Sequence, residues 1–202
     1  MAYIKETFDV GSLEQAKHVV LSSDPNDPLK FDRETKFLVD YLQEQNVVTE
    51  QSIILDFGCG MGRVSKELVN RFNCNVFGVD ISETMLLFAN DYVQNKQKFN
   101  TFNSYTTPGS IDVCIAALVL QHVENPKLEI DTIFNVLKDN GYFLLLNEPA
   151  RWVPVGLDNN NYVIWNDDKF DVAKYVEEKF VQVAEYPYIN EKLTLKLYRK
   201  QA

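Results

Sequence analysis

Three glycines alternate at Gly58, Gly60 and Gly62, directly after the short apolar run Ser52-Ile53-Ile54-Leu55-Asp56. Residues Arg63 to Phe72 then carry apolar side chains at helical spacing. Glycine supplies backbone dihedrals that other residues avoid, and it lets main chain come close to a ligand. The helix that begins there presents N–H groups that its own carbonyls do not use. Roughly twenty residues on, Asp80 closes a second apolar run, Asn75-Val76-Phe77-Gly78-Val79. A carboxylate at that place can accept hydrogen bonds from both hydroxyls of a ribose. Glycine turn and acid together describe a nucleotide site at the carboxyl ends of parallel strands.

The elements that must position these residues follow from the pattern of the chain. Ser12 can cap a helix over Leu13 to Leu21, and Asp24-Pro25-Asn26-Asp27-Pro28 breaks it. A second helix runs from about Asp32 to Gln45, with Phe37, Leu38, Tyr41 and Leu42 on one stripe. From Ser52 the chain alternates. Strands are expected at 52–56, 75–80, 98–103, 111–117 and 142–146. Helices are expected after Gly62, after Ser82 as cap, and from Pro126 until Asn140-Gly141 ends it. Strand and helix in alternation imply parallel pairing through right-handed crossovers. Arg151 to Asp168 reads as a loop, Lys169 to Lys179 as a helix, and Phe180–Tyr186 with Leu193–Tyr198 as an antiparallel pair at a sheet edge.

The bulk numbers narrow the class. A chain of 202 residues fits one domain, with residues 1–48 as a helical lead-in and 49–202 as the core. The net charge of −9 runs against a nucleic-acid substrate, which wants a basic face, and against an anionic membrane surface. No apolar run approaches the ~20 residues of a membrane span. Met1 to Glu6 has no apolar stretch of the signal-peptide kind, so the expected location is the cytoplasm. Cys59, Cys74 and Cys114 lie far apart with no CxxC pair, and only His18 and His122 could add imidazoles, so no metal site is expected.

A dinucleotide fold usually shows G-x-G-x-x-G, whereas this chain has G-x-G-x-G preceded by Asp56. Leu55-Asp56-Phe57-Gly58-Cys59-Gly60-Met61-Gly62-Arg63 resembles the first motif of class I S-adenosylmethionine (SAM)-dependent methyltransferases. Val79-Asp80-Ile81-Ser82-Glu83-Thr84-Met85-Leu86 is similar to their second-strand motif. Ile111-Asp112-Val113-Cys114-Ile115 with Val119-Leu120-Gln121-His122-Val123 is similar to their fourth strand and the turn after it, and Gly141-Tyr142-Phe143-Leu144-Leu145 to their fifth. The likeness covers about residues 50 to 200.

It implies an α/β fold: a doubly wound, mostly parallel seven-stranded sheet with an antiparallel last strand, helices on both faces and an N-terminal helical lid. It also implies roles. Gly58, Gly60 and the backbone around them, Cys59 and Gly62 included, would hold the amino-acid part of SAM. Asp56 would order that loop, Asp80 would bind the ribose and Ile81 would pack on the adenine. Leu118 would line the channel near the sulfur. The chain departs from the family where an acid often meets the adenine amino group; Asn103 or Ser104 holds that position here.

Methyl transfer from a sulfonium is an in-line displacement, so the protein mainly positions the acceptor and excludes water. A base is needed where the acceptor must lose a proton. His122, just after the fourth strand, is the candidate, since histidine suits proton transfer near neutral pH. Tyr3 and His18 in the lead-in, and Arg151 with Trp152 after the fifth strand, are candidates for the acceptor pocket. An Arg beside a Trp can bind a carboxylate or a flat ring. The acidic charge favours a small acceptor, with S-adenosylhomocysteine (SAH) as the other product. Two competing readings are a non-catalytic protein that keeps the fold and a nicotinamide-dependent oxidoreductase. The glycine spacing and the C-terminal antiparallel pair speak against the second.

Overall fold

A computed structural model describes residues 3–21, 26–148, 152–154, 162–164, 171–187 and 193–201. The chain divides into two compact units, Phe8–Tyr105 and Met1–Thr7 with Thr106–Ala202.

The first unit opens with α1 (Leu13–Val20), where the Ser12 hydroxyl accepts from the Gln15 N–H at 3.2 Å and the Gln15 side chain reaches back to the Gly11 N–H at 2.8 Å. These two bonds satisfy donors that a helix start leaves open. Helix α2 (Lys30–Glu44) buries Leu38, Val39, Tyr41 and Leu42 along one stripe. Then β1 (Ile53–Phe57), α3 (Arg63–Phe72), β2 (Asn75–Val79), α4 (Glu83–Val93) and β3 (Phe99–Phe102) alternate. Strand β1 pairs in parallel with β2, and β2 with β3. The strand-to-helix periods set these elements: α3 buries Val64, Leu68 and Val69, spaced for one face.

In the second unit β4 (Ile111–Ala117) is buried along nearly its whole length, as befits a parallel strand covered on both faces. It pairs in parallel with β5 (Leu137–Asn147), which follows α5 (Pro126–Val136). After β6 (Trp152–Pro154), β7 (Tyr162–Ile164) and α6 (Val172–Glu177), the chain ends in β8 (Phe180–Pro187) and β9 (Thr194–Lys200). Strand β9 is antiparallel to both β5 and β8. The full strand order is β3-β2-β1-β4-β5-β9-β8, the expected seven-stranded sheet with its last strand reversed. No described helix is long and apolar enough to cross a membrane.

Three local readings change. Helix α5 stops at Val136 instead of running to Asn140-Gly141, and β5 begins at Leu137. Asn140 takes φ 65°, and the β4–β5 register shifts between Ile111 and Val113. The turn signal is therefore a bulge inside the strand, not a helix end. The stretch read as loop from Arg151 to Asp168 contains the antiparallel ribbon β6–β7. The helix expected from Lys169 is the shorter α6, started by the Asp171 carboxylate accepting from Ala173 N–H and Lys174 N–H at 2.9 and 3.2 Å.

Only residues 103–110 join β3 to β4. At ~3.3 Å per extended residue they reach roughly 26 Å, with no helix among them. Within the first unit Tyr105 folds back onto Phe77, ring centroids 5.2 Å apart and nearly parallel, while Phe102 meets both rings edge-on. The three rings form one aromatic cluster on β2 and β3.

Candidate active site

The glycine turn is built by its backbone. Gly58, Gly60 and Gly62 take φ of 72°, 53° and 80°, in the left-handed region that side chains disfavour. The N–H groups of Gly58 and Cys59 both donate to the Val79 carbonyl, at 2.8 and 2.9 Å, which ties the end of β1 to the end of β2. Gly62 N–H donates to Cys59 O at 2.9 Å. Space is as restrictive as dihedrals. A Cβ on Gly60 would sit 2.5 Å from Val20 Cγ2, and one on Gly62 would sit 2.8 Å from Val93 Cγ2.

Asp80 is the second tie. Its Oδ2 accepts the Gly60 N–H at 2.8 Å and its Oδ1 accepts the Ser82 N–H at 2.9 Å. The carboxylate therefore bridges the glycine turn and the turn that starts α4. Burial raises its pKa above the ordinary carboxylate range; the N–H donors of Ser82, Gly60 and Ile81 pull against this, and the charge of Asp9 adds to the rise. An ionised carboxyl offers about four lone-pair sites, so the backbone donors of Ser82, Gly60 and Ile81 leave room for a ribose hydroxyl. Beside it Ile81 is 47% exposed. A carboxylate next to an uncovered aliphatic side chain is the chemistry that a ribose and its attached ring require, so these residues fit an adenosine.

Asp56 works from beneath the turn. It is buried and accepts from the Ser65 hydroxyl at 2.6 Å, which fixes the start of α3 on β1. Burial pushes its pKa up to about 6, against the opposing pull of the Ser65 hydroxyl and the Arg63 charge. Arg63 is itself buried and donates from Nη1 to Thr35 Oγ1 of α2 at 3.1 Å. The Cys59 thiol is pushed well up by burial, with the charges of Asp56 and Asp80 adding to the effect. It packs against Gly78, whose Cβ would stand 2.9 Å from Sγ. Cys59, Cys74 and Cys114 are all buried.

The lead-in is wound onto the same turn. Asp9 accepts from the Ser82 hydroxyl at 2.7 Å, and Val10 N–H donates to Thr84 Oγ1 at 2.9 Å. Ser82 Oγ also caps α4 by accepting from Met85 N–H at 3.3 Å. Val10, Ala16, Met61 and Met85 form one buried cluster, joined by Val19, Val20, Phe31, Phe88 and Tyr92. Asp9, Val20 and Thr84 were not among the residues that sequence reasoning singled out. Only their tertiary contacts give them a part, and no spacing in the chain announces it.

The first unit thus brings together Asp56, Gly58, Cys59, Gly60, Gly62, Asp80 and Ile81. Asn103 and Ser104 follow β3 directly and are both exposed, as is His18 on α1. The second unit holds Leu118 and His122. Leu118 ends β4 with φ 59°, its N–H donating to Leu146 O of β5 at 2.7 Å. His122 is half-buried, in a turn closed by its N–H to Val119 O at 2.9 Å. Between them Gln121 is buried, and its Oε1 accepts the Glu148 N–H at 3.1 Å. Tyr3 is half-buried in this unit, Trp152 lies in β6, and Arg151 lies outside the described residues. Among the described residues no group of His, Cys, Asp and Glu is arranged to hold a metal ion.

Strand order, glycine turn and Asp80 bridge define a class I SAM-dependent methyltransferase fold. Residues 55–145 match the family described as "Methyltransferase domain". The chain is 29% identical over 148 residues to malonyl-[acyl-carrier protein] O-methyltransferase 2 of Ilyobacter polytropus, covering 62% of this chain and 57% of that protein. It is 25% identical over 150 residues to ubiquinone biosynthesis O-methyltransferase of Shewanella pealeana, covering 61% and 62%. The chain thus spans somewhat over half the length of these relatives. Among solved structures, the N-methyltransferase NodS from Bradyrhizobium japonicum, in complex with SAH, superimposes with a TM-score of 0.65 at 16% identity, covering 93% of this chain and 98% of that one.

Proposed function

We propose that this protein transfers the methyl group of SAM to a small-molecule acceptor with an O, N or C nucleophile. The observation that carries the reading is the Asp80 bridge: one carboxylate holds both the glycine turn and the start of α4, and keeps room for a ribose hydroxyl. Gly58, Cys59, Gly60 and Gly62 present the backbone that would hold the amino-acid part of the donor. Asp56 orders that backbone, Asp80 takes the ribose, Ile81 covers the adenine, and Asn103 or Ser104 meets its edge. When bound, SAM supplies an electrophilic methyl on sulfur and leaves as the neutral thioether. Leu118 lines the channel near the sulfur. His122 takes the proton that an O–H or N–H acceptor gives up as its bond to the methyl carbon forms. Tyr3, His18, Arg151 and Trp152 contribute to the acceptor pocket. The net charge of −9 supports a small acceptor over nucleic acid, whose phosphates call for a basic face.

Thermal unfolding with and without SAH tests the reading. At a hundred times its dissociation constant, SAH adds ~2.7 kcal/mol of stability. Asp80→Ala should remove most of that gain. No gain with the wild-type protein would overturn the assignment of the site.

A further inference from the structure

The hydrogen bonds at the start of α4 can be followed from donor to acceptor until they end. Ser82 Oγ gives its one proton to Asp9 Oδ1 at 2.7 Å. It accepts from Met85 N–H at 3.3 Å and lies 3.0 Å from Thr84 Oγ1. With the Ser82 proton committed to Asp9, Thr84 is the donor in that pair. Thr84 Oγ1 in turn accepts the Val10 N–H at 2.9 Å. A hydroxyl has one proton and two lone pairs, so Ser82 is saturated. The chain of bonds ends on the carboxylate of Asp9.

Asp80 holds the same residue from the other side. Its Oδ1 accepts the Ser82 N–H at 2.9 Å, and its Oδ2 accepts the Gly60 N–H at 2.8 Å. The Ile81 N–H also acts on it. These donors fill all but roughly one of the lone-pair sites of a carboxylate. A ribose brings two neighbouring hydroxyls, and Asp80 has room for one.

Asp9 supplies the other acceptor. It is exposed, and among the described residues nothing donates to its Oδ2. It belongs to the same compact unit as Ser82 and Asp80. The bonds from Ser82 to Asp9 and from Val10 to Thr84 fix the backbone there, so its carboxylate is already positioned. The two acids are also close enough to feel each other: burial raises the Asp80 carboxyl, the backbone donors oppose this, and the Asp9 charge adds to the rise. Like charges so placed disfavour each other, and a hydroxyl donated to each relieves the pair. A carboxylate is also a stronger acceptor than the lone pair left on the Thr84 hydroxyl.

Resting on the methyltransferase reading above, we propose that Asp9 is a second SAM-binding residue, its Oδ2 accepting one ribose hydroxyl while Asp80 accepts the other. The lead-in is then part of the cofactor site, and the two acids together read the vicinal diol.

The test measures binding by calorimetry with SAH and with its 2′-deoxy and 3′-deoxy forms. Asp9→Asn keeps an oxygen for the Ser82 hydroxyl but replaces Oδ2 with an N–H donor. Without ligand its unfolding temperature should stay within about 2 °C of the wild type. Its affinity for SAH should fall roughly 5- to 20-fold. One of the deoxy forms, lacking the hydroxyl that Asp9 takes, should bind both proteins equally within about twofold. An Asp9→Asn protein that binds SAH as the wild type does overturns the proposal. So does an equal loss for SAH and both deoxy forms, which would mark a structural role. A crystal structure of the wild type with SAH should place one ribose hydroxyl on each carboxylate; both hydroxyls on Asp80 would overturn the proposal even if the variant does not fold. Failure of the wild type to bind SAH would instead strike the methyltransferase reading itself.

Discussion

Replacing Gly60 with alanine tests how tightly the lead-in helix is bound to the glycine turn. The new Cβ would lie 2.5 Å from Val20 Cγ2, where carbon pairs settle at about 3.5–4.0 Å. Val20 is the last residue of α1, and a β-branched side chain in a helix has one strongly preferred rotamer, so relief requires α1 to move by about 1 Å. Overpacking of that kind costs about 1–3 kcal/mol. The φ of 53° adds about 1–2 kcal/mol for any residue with a Cβ. The two together amount to about 2–5 kcal/mol, or a Tm lower by roughly 4–20 °C for a chain of this size. Urea unfolding at 25 °C of wild type, Gly60→Ala, Val20→Ala and the double variant separates the two parts. Removing Cγ2 should return the steric part and leave the dihedral part, a coupling of about 1–3 kcal/mol. Additive effects within about 0.5 kcal/mol would refute the docking of α1 on the turn. The single Gly60→Ala change should also weaken SAH binding, because it displaces the N–H that Asp80 holds.

Asp56 predicts a pH dependence with a definite sign. Its folded pKa is raised from 3.8 to about 6, so the native state binds the proton more tightly than the unfolded chain, and this contribution is lost as pH rises between those values. Asp56→Asn keeps an oxygen for the Ser65 hydroxyl without the titration, so relative to wild type it should gain up to about 3 kcal/mol from pH 4 to pH 7; parallel urea midpoints across that range would refute it. At position 118 glycine should be better tolerated than alanine by about 1 kcal/mol, the reverse of the usual order, because φ is 59°; thermal unfolding of Leu118→Gly beside Leu118→Ala checks this. Ser82→Ala removes both the α4 cap and the donor to Asp9 and should cost about 1–2 kcal/mol, read by calorimetry.

The parts of the candidate site that were legible in the sequence are those that chemistry confines to a few contiguous residues. A left-handed turn between strand and helix calls for glycine, so Gly58, Gly60 and Gly62 are visible as a pattern. An acid ending β2 is visible because the strand's apolar run stops there. Arg63–Phe72 and the β8–β9 pair follow from periodicity alone. The end of α5 was not legible, because Asn140-Gly141 signals a turn without saying whether a helix or a bulged strand contains it. Asp9, Val10 and Val20 gave no signal either: their partners Ser82, Thr84 and Gly60 lie far along the chain, and a single Asp or Val has no period.

Local rule-keeping and local rule-breaking therefore carry different information. Where each residue suits its element, as in α3 or β4, the chain only has to fold. Where residues contradict their setting, a compensating interaction is needed, and natural chains keep such conflicts at functional sites. Gly60 is a conflict resolved within the fold, since the missing Cβ makes room for Val20 and the N–H finds Asp80. Leu118 and Asn147 are conflicts that the described residues leave open: a leucine in a glycine's conformation, and a buried oxygen with no donor.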